Sequence, residues 1–228
     1  MNQTPTKAPE TENEQITVSN GIYARYIKRP MDFFLALCAL IVLSPILLLL
    51  TIIGAVAMKG NPFFTQRRPG KGERIFKLIK FRTMTCEKDK DGNLLPDDKR
   101  LTKYGRFLRA TSLDELPELI NILKGDMSVV GPRPLLVKYL PLYSEAHRHR
   151  HDVRPGLTGL AQITGRNCLS WEERFDIDLR YIENISFWGD IKIILLTVKK
   201  VVVHDGISSE TSATMEEFLG ESESKIER

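Results

Sequence analysis

Cysteine is scarce in this chain, which has only Cys38, Cys86 and Cys168 among its 228 residues. Their spacings match neither a metal knuckle nor a disulfide framework, and Cys38 lies within an apolar run. The pattern argues against a disulfide-stapled secreted domain. It favours a reducing cytoplasm around the soluble part of the protein.

Charged residues are absent from Phe33 to Met58, a run long enough to cross a bilayer core as a helix. The run follows 30 mostly polar residues, and no small-residue cleavage site comes soon after it, so we expect no cleaved signal peptide. Ser44 and Pro45 interrupt its middle. Because proline removes a helical hydrogen-bond donor, a kink or break is predicted there. The Ser44 hydroxyl can occupy a carbonyl that the proline frees.

Basic residues flank this run on both sides. Lys28 and Arg29 precede it, with Tyr26 beside them, and we predict that they contact lipid headgroups. The positive-inside rule then places both ends of the run on the cytoplasmic face. This favours a re-entrant helix over residues 23–58, broken at Ser44-Pro45, with arms of about 16 to 20 Å against a core of roughly 30 Å. A kinked helix that spans the membrane stays open. The basic residues after the run are Lys59, Arg67, Arg68, Lys71 and Arg74.

Positive charge concentrates in residues 59–109, which hold 15 Lys and Arg against 6 Asp and Glu. Such a surface suits anionic headgroups and phosphorylated substrates, although a solvated face without function also fits. Residues 1–22 are polar and are predicted to form a disordered tail. Residues 207–228 form an acidic tail, which leaves 59–206 as a cytosolic domain.

Periodicity predicts an α+β, helix-rich fold with a small β-hairpin and interfacial amphipathic helices. The hairpin pairs 63–65 with 75–83 around RRPGKGER. A helix with apolar residues from Leu113 to Leu123 stops at Gly125. A capping box of Ser170 and Glu173 opens another helix, and the last helix runs from about 190 to 203.

Two adjacent carboxylates, Asp114 and Glu115, mark the candidate site. Ser112 and Glu115 fit a capping box, while Pro117 allows a helix start one turn later. Near a helix N-terminus the unpaired amides keep a carboxylate ionised and favour phosphate, and an ionised aspartate can attack phosphorus. Taken alone, however, an Asp-Glu pair at a helix start indicates an ordinary cap.

Candidate phosphate ligands lie on both sides of the acids. Arg109 precedes them, and Arg133 follows in Gly-Pro-Arg-Pro, where two prolines fix the backbone around the guanidinium. A second rigid turn at 154–159 leads to the segment 165–167, whose glycine allows close backbone approach. The alternating His147, His149 and His151 are predicted to be a solvated basic segment rather than a metal site.

These segments resemble the monotopic phosphoglycosyl transferases of bacterial glycoconjugate assembly, over roughly 26–206. Several motifs of the family occur in order. The similarity is closest to the small enzymes that transfer diacetamido-bacillosamine phosphate in protein N-glycosylation. The motifs are KRPMD at 28–32, SP at 44–45, FTQRRPG at 64–70, KFRTM at 80–84, SLDELPELINILKGDMSVVGPRPL at 112–135 and RPGLTGLAQITGRN at 154–167.

The resemblance implies a two-step transfer of a sugar 1-phosphate from a UDP-sugar to undecaprenyl phosphate. Asp114 is the implied nucleophile, which releases UMP and carries the phosphosugar, and Glu115 completes the dyad. Mg²⁺ is the implied cofactor, with Asp114 as its protein ligand. Arg133, and less directly Arg109, would bind substrate phosphate, while Ser44-Pro45 would form the helix break. The implied location is the bacterial inner membrane, with the catalytic domain on the cytoplasmic face.

Other readings of the sequence stay open, among them a structural membrane anchor or scaffold. Another UDP-sugar, such as galactose, glucose or an N-acetylhexosamine, would use the same chemistry for capsule, exopolysaccharide or O-antigen. A membrane-attached basic binding module would explain the charge of residues 59–109 but would leave the two acids and Arg133 without a role. Membrane lipids are expected partners, nucleic acid is not, and a homo-oligomer is compatible with the sequence.

Overall fold

A computed structural model of the chain describes residues 16–165, 169–203 and 217–220. The described part is helix-rich with two small sheets, as the sequence predicts. The α-helices are α1 (Lys28–Ala57), α2 (Asp97–Arg100), α3 (Lys103–Ala110), α4 (Glu118–Lys124), α5 (Glu145–Arg148), α6 (Leu160–Thr164), α7 (Trp171–Glu183) and α8 (Phe187–Val203). The strands are β1 (Phe63–Pro69), β2 (Ile75–Phe81), β3 (Ser128–Val130) and β4 (Gly156–Thr158).

The apolar run forms α1, which a π-helical turn at Tyr23–Ile27 precedes. Within the described residues, 23–57 is the one helical stretch whose length and composition would let it cross a membrane. One stripe of α1 is buried against the rest of the protein, from Asp32 and Ala36 to Leu50 and Gly54. The other side is exposed. Its exposed apolar residues include Ile41, Val42, Leu48, Leu49, Ile52 and Val56.

Pro45 lies inside α1, and residues 28–57 are helical on both sides of it. The predicted break at Ser44-Pro45 is therefore not observed, and the re-entrant path stays a prediction. The Ser44 hydroxyl donates a 2.7 Å hydrogen bond to the Ile41 carbonyl, the acceptor that a Pro45 N–H would have used in a regular helix. This contact helps the helix to continue through the proline.

The predicted hairpin is confirmed, with a longer first strand than expected. β1 and β2 pair in antiparallel register from Phe63 opposite Phe81 to Pro69 opposite Ile75. The buried side chain of Asn121 on α4 docks this hairpin. Its Oδ1 accepts from the Ile79 N–H at 3.0 Å, and its Nδ2 donates to the Lys77 carbonyl at 2.8 Å.

The two turns predicted to be rigid lie side by side, because β3 and β4 pair in parallel. A Cβ on Gly156 would lie 2.1 Å from the Gly131 nitrogen, so glycine is required here for backbone-to-backbone contact. The predicted close approach of the chain in this region is thus to another part of the protein. Arg166 and Asn167, which end that motif, lie outside the described residues.

The predictions for the C-terminal helices are confirmed. Ser170 and Glu173 form a reciprocal capping box at the start of α7, and α8 begins three residues earlier than predicted, at Phe187. Phe175 of α7 belongs to a core cluster with Tyr139, Tyr143 and Phe218. The solvated basic segment predicted at 147–151 is wrong in part. His147, Arg150 and His151 are buried, and Arg150 pairs with a buried carboxylate on α7.

Residues predicted to belong to the tails contact the core where the structure describes them. Ile16 and Val18 pack beside Ile182 of α7, and the Ser19 N–H donates to the Ile182 carbonyl at 2.9 Å. Near the other end of the chain, Phe218 is buried. Most of the predicted tails, 1–15, 207–216 and 221–228, lie outside the described residues.

Candidate active site

Asp114 and Glu115 lie in a short 3₁₀ turn, Leu113–Glu115, that precedes α4. The predicted capping box of Ser112 is wrong. Ser112 has a positive φ of 55° and makes no side-chain cap hydrogen bond. The alternative of a later start is closer, since α4 begins at Glu118, although Pro117 is its N-cap residue and not its first helical residue. The tight left-handed turn at Ser112 frees the Glu115 side chain to reach other partners.

Two leucines hold this turn against the apolar helix. Leu113 and Leu116 pack on a buried cluster that contains Leu50 of α1 together with Phe81 and Leu108. One turn further on, Leu119 of α4 packs with Ala36 of α1. The turn that carries the carboxylates therefore packs against α1 through its neighbouring leucines.

Glu115 is held by two cations. Its Oε1 accepts hydrogen bonds from Lys80 Nζ at 2.8 Å and from an Arg133 terminal nitrogen at 2.5 Å. Burial would raise the pKa of this carboxyl, but Arg133 and Lys80 outweigh it and hold the pKa well below its usual range. Glu115 is therefore ionised throughout the physiological pH range.

Lys80 also binds Glu118, so it links the two glutamates. The Lys80 Nζ lies 3.0 Å from Glu118 Oε1, and Glu118 is only 3% exposed. Burial, and then the charge of Glu115, raise the pKa of Glu118 to about 7. Neither Lys80 nor Glu118 was predicted as a site residue, although each lies in one of the family motifs. The sequence could have indicated Lys80, because alternation along β2 places it on the same face as the buried Phe76 and Leu78.

Asp114 differs from its neighbours because it forms no ion pair within 4.0 Å among residues 16–165, 169–203 and 217–220. Burial raises its pKa to about 6, and the charge of Glu115 acts in the same direction. Lys80, Arg133 and Arg109 counteract this and favour the ionised form. At neutral pH the Asp114 carboxylate is thus charged and available to react.

The predicted phosphate ligands converge on the dyad. Arg133 binds Glu115, yet 42% of its side chain stays exposed, which leaves donors free for an anion from solution. Arg109 donates from Nε to Thr83 Oγ1 at 3.1 Å, and its charge favours ionisation of Asp114. Both arginines therefore lie near the dyad, and phosphate binding stays a prediction for them.

Arg68 is a further cation that the sequence analysis did not assign to the site. Its terminal nitrogen donates to Gln66 Oε1 at 2.8 Å, but its buried Nε has no hydrogen-bond partner within the described ranges. Burial, and then the nearby charge of Arg133, lower the pKa of Arg68 to about 10. Two neighbouring guanidiniums, one with an unused buried donor, suit a ligand that carries more than one negative charge.

The predicted headgroup residues are engaged inside the protein. Lys28 Nζ lies 2.6 Å from Asp190 Oδ2, which also accepts from the Tyr23 hydroxyl. Arg29 donates to the carbonyls of Ile122 and Leu123 at 2.7 and 3.0 Å and so caps the C-terminus of α4. Both side chains therefore tie the start of α1 to the catalytic domain. Contact with lipid headgroups stays a prediction for them.

The residues at the dyad are compatible with Mg²⁺ bound jointly with a substrate. Across the described residues no group of three or more His, Cys, Asp or Glu is arranged to hold a metal ion alone. Magnesium in phosphoryl-transfer sites is commonly held by one or two carboxylates and by substrate phosphates. Lys80 occupies Glu115 and Glu118, which leaves Asp114 as the carboxylate able to contribute.

The chain matches the family model described as bacterial sugar transferase over residues 23–204, a range that contains every site residue named above. It is 53% identical over 196 residues to EpsL of Bacillus subtilis (strain 168), named an uncharacterized sugar transferase. That match covers 85% of this chain and 96% of EpsL.

Two relatives have names that state a reaction. A UDP-glucose:undecaprenyl-phosphate glucose-1-phosphate transferase of Klebsiella pneumoniae is 43% identical over 191 residues, which cover 79% of this chain and 41% of that protein. An undecaprenyl-phosphate galactose phosphotransferase of Salmonella typhimurium is 37% identical over 202 residues, which cover 80% and 42%. The chain thus spans nearly all of EpsL but less than half of these two proteins. From the match over 23–204 and the identity to EpsL, we conclude that the chain belongs to the bacterial sugar transferase family.

Proposed function

We propose that this protein transfers a sugar 1-phosphate from a UDP-sugar to undecaprenyl phosphate, with Asp114 as the covalent nucleophile. The observation that carries the proposal is the different pairing of the two adjacent carboxylates, Asp114 and Glu115. Lys80 and Arg133 bind Glu115, whereas Asp114, ionised near neutral pH, forms no ion pair within the part of the chain that the structure describes. A carboxylate in this state, surrounded by guanidiniums, can approach an anionic phosphate and attack it.

In the first step an Asp114 carboxylate oxygen forms a bond to the sugar-bearing phosphorus. The bond from that phosphorus to the bridging oxygen breaks, and UMP leaves with the electron pair. In the second step an oxygen of undecaprenyl phosphate attacks the same phosphorus and releases the Asp114 carboxylate. Arg133 would hold phosphate oxygens in both steps, and Glu115 would fix Arg133 and Lys80 around them. The product is an undecaprenyl diphosphate sugar.

The packing of α1 supports a site at the membrane surface. Its buried stripe extends from Asp32 to Gly54, so both ends of the helix lie beside the catalytic domain. A helix that crossed the bilayer would carry one of its ends away from that domain. This supports insertion from one face, with both ends cytoplasmic, at the inner membrane of a bacterium. Leu113 and Leu116 would then hold the dyad at the level where a lipid phosphate lies.

The donor sugar is the part of the proposal that the relatives inform most. The relatives from Klebsiella pneumoniae and Salmonella typhimurium are named for glucose and galactose. They support the alternative with a hexose donor, and they give no support to diacetamido-bacillosamine and protein N-glycosylation. Glycosylation with bacillosamine therefore stays a prediction from the sequence, to be tested beside the hexoses.

Mg²⁺ and self-association are also parts of this proposal. When bound with the donor at Asp114, Mg²⁺ would neutralise diphosphate charge. Removal of divalent cations with a chelator should then stop UMP release, and added Mg²⁺ should restore it. A homo-oligomer would be revealed by the mass of the detergent-solubilised protein measured by light scattering.

The test is UMP release from membranes that contain the protein, with undecaprenyl phosphate and a panel of UDP-sugars. The panel holds UDP-glucose, UDP-galactose, UDP-N-acetylglucosamine and the UDP-linked diacetamido-bacillosamine. We expect one donor to release UMP and to label the lipid fraction. Asp114→Asn should abolish this, whereas Asp98→Asn, a change at an exposed acid of α2, should leave it intact. Release of UMP from none of the donors would refute the proposal.

A further inference from the structure

Residues 217–220 bring a C-terminal segment back onto the catalytic domain. Side chains alternate along it: Glu217 and Leu219 face outward, while Phe218 and Gly220 are buried. Glu217 forms an ion pair with Lys138 at the surface. The family match ends at residue 204, so this contact lies beyond the part of the chain that the family shares.

Phe218 completes an aromatic cluster. It is 3% exposed, and its ring centre lies 5.1 Å from that of Phe175 and 6.0 Å from that of Tyr143. Its backbone N–H also approaches the Tyr139 hydroxyl at 3.4 Å. Aromatic side chains packed in this way contribute strongly to the order of their surroundings.

The same two rings that Phe218 contacts also hold a buried arginine. Arg150 lies 5.6 Å from the centre of the Tyr143 ring and 5.3 Å from that of Phe175. Its guanidinium binds Asp178 Oδ2 at 2.6 Å and the backbone carbonyl of Arg133 at 2.9 Å. Arg150 therefore fixes the main chain of the residue whose side chain binds Glu115 at the active site.

We propose that Phe218 is a positioning residue for Arg133, acting through Phe175, Tyr143 and Arg150. The docked segment keeps the cluster filled, the cluster orients Arg150, and Arg150 fixes the carbonyl of Arg133. The proposal rests on the proposed function, because it takes Arg133 as the group that binds the donor phosphate. Small misplacements of such groups can cost up to about a hundredfold in rate.

The experiment compares Phe218→Ala with Leu219→Ala in the full chain, since Leu219 is the exposed neighbour on the same segment. We expect Phe218→Ala to lower kcat/KM for the UDP-sugar about tenfold, with Leu219→Ala close to wild type. Phe218→Leu, which keeps an apolar side chain in the cluster, should recover part of the loss. Thermal unfolding of each variant in detergent reports whether the fold is kept.

A double-mutant cycle with Arg133→Lys separates positioning from a general loss of structure. If Phe218 acts through Arg133, Phe218→Ala should lower kcat/KM by less than about twofold in the Arg133→Lys background. Losses that multiply, or equal activity of Phe218→Ala and Leu219→Ala, would overturn the inference. If Phe218→Ala unfolds, the same cycle is run with Phe218→Leu and decides between these outcomes. A wild-type protein that releases no UMP would instead refute the proposed function.

Discussion

The environment of Asp114 predicts an acid limb in the pH profile of UMP release. Burial and Glu115 raise the pKa of this carboxyl to about 6. Since the protonated acid cannot attack phosphorus, activity must fall as the pH drops through that value. The ionised fraction is about nine-tenths at pH 7 and about one-tenth at pH 5, so the rate should fall roughly tenfold between them. An aspartate with an ordinary pKa would stay ionised over this range and give a flat profile.

The assay is single-turnover UMP release at subsaturating UDP-sugar without undecaprenyl phosphate, which reports the pKa of Asp114 in the enzyme before donor and Mg²⁺ bind. This isolates the first step, because the lipid phosphate monoester titrates near the same pH whereas the diphosphate diester of the donor does not. Glu118 also has a raised pKa, of about 7, so Glu118→Gln is the control. The limb near pH 6 should persist in that variant. A wild-type rate that is constant from pH 5 to 7, or a limb that disappears in Glu118→Gln, would refute the reasoning.

Three further predictions concern groups around the dyad. Arg68→Met should raise the KM for the UDP-sugar about tenfold, because a buried guanidinium near Arg133 is lost. Arg67→Met, on the exposed side of β1, should leave this KM unchanged. Equal KM values for the two variants would contradict the prediction. Asn121→Ala should lower the free energy of unfolding by about 2 kcal/mol, since it leaves backbone groups of β2 unpaired. Denaturant titration measures this loss against Asn93→Ala, a change at an exposed residue. Equal unfolding midpoints would show that the contact of Asn121 with the hairpin is dispensable. Arg29→Met should lower the free energy of unfolding by about 1 to 3 kcal/mol because the α4 C-terminal cap is lost. If the thermal unfolding of this variant is unchanged, Arg29 does not stabilise the fold and headgroup contact is its remaining predicted role.

Patterns set by local chemistry were predictable from the sequence. The hairpin, the stop at Gly125 and the capping box of Ser170 depend on residues within a few positions of one another, and all three are present. The Ser44 hydroxyl bond to Ile41 is of the same kind. Short-range rules apply to these features because the partner groups are neighbours in the chain.

Features that depend on distant partners were not predictable in the same way. Ser112 fits the pattern of a capping box with Glu115, but Lys80 and Arg133 bind that glutamate instead. Lys28 and Arg29 have the sequence character of headgroup anchors, yet Asp190 and the end of α4 bind them. In each case a charge that looked exposed binds a partner more than 15 positions away in the chain, which periodicity cannot reveal.

The central claim is that Asp114 carries the phosphosugar. Incubation of the purified protein with the reactive UDP-sugar, without lipid acceptor, followed by rapid quenching and peptide mass spectrometry, tests it directly. We predict a mass increase of one sugar phosphate on the peptide that contains Asp114, which disappears when undecaprenyl phosphate is added. Full transfer activity in Asp114→Asn, or an adduct on another residue, would contradict the claim.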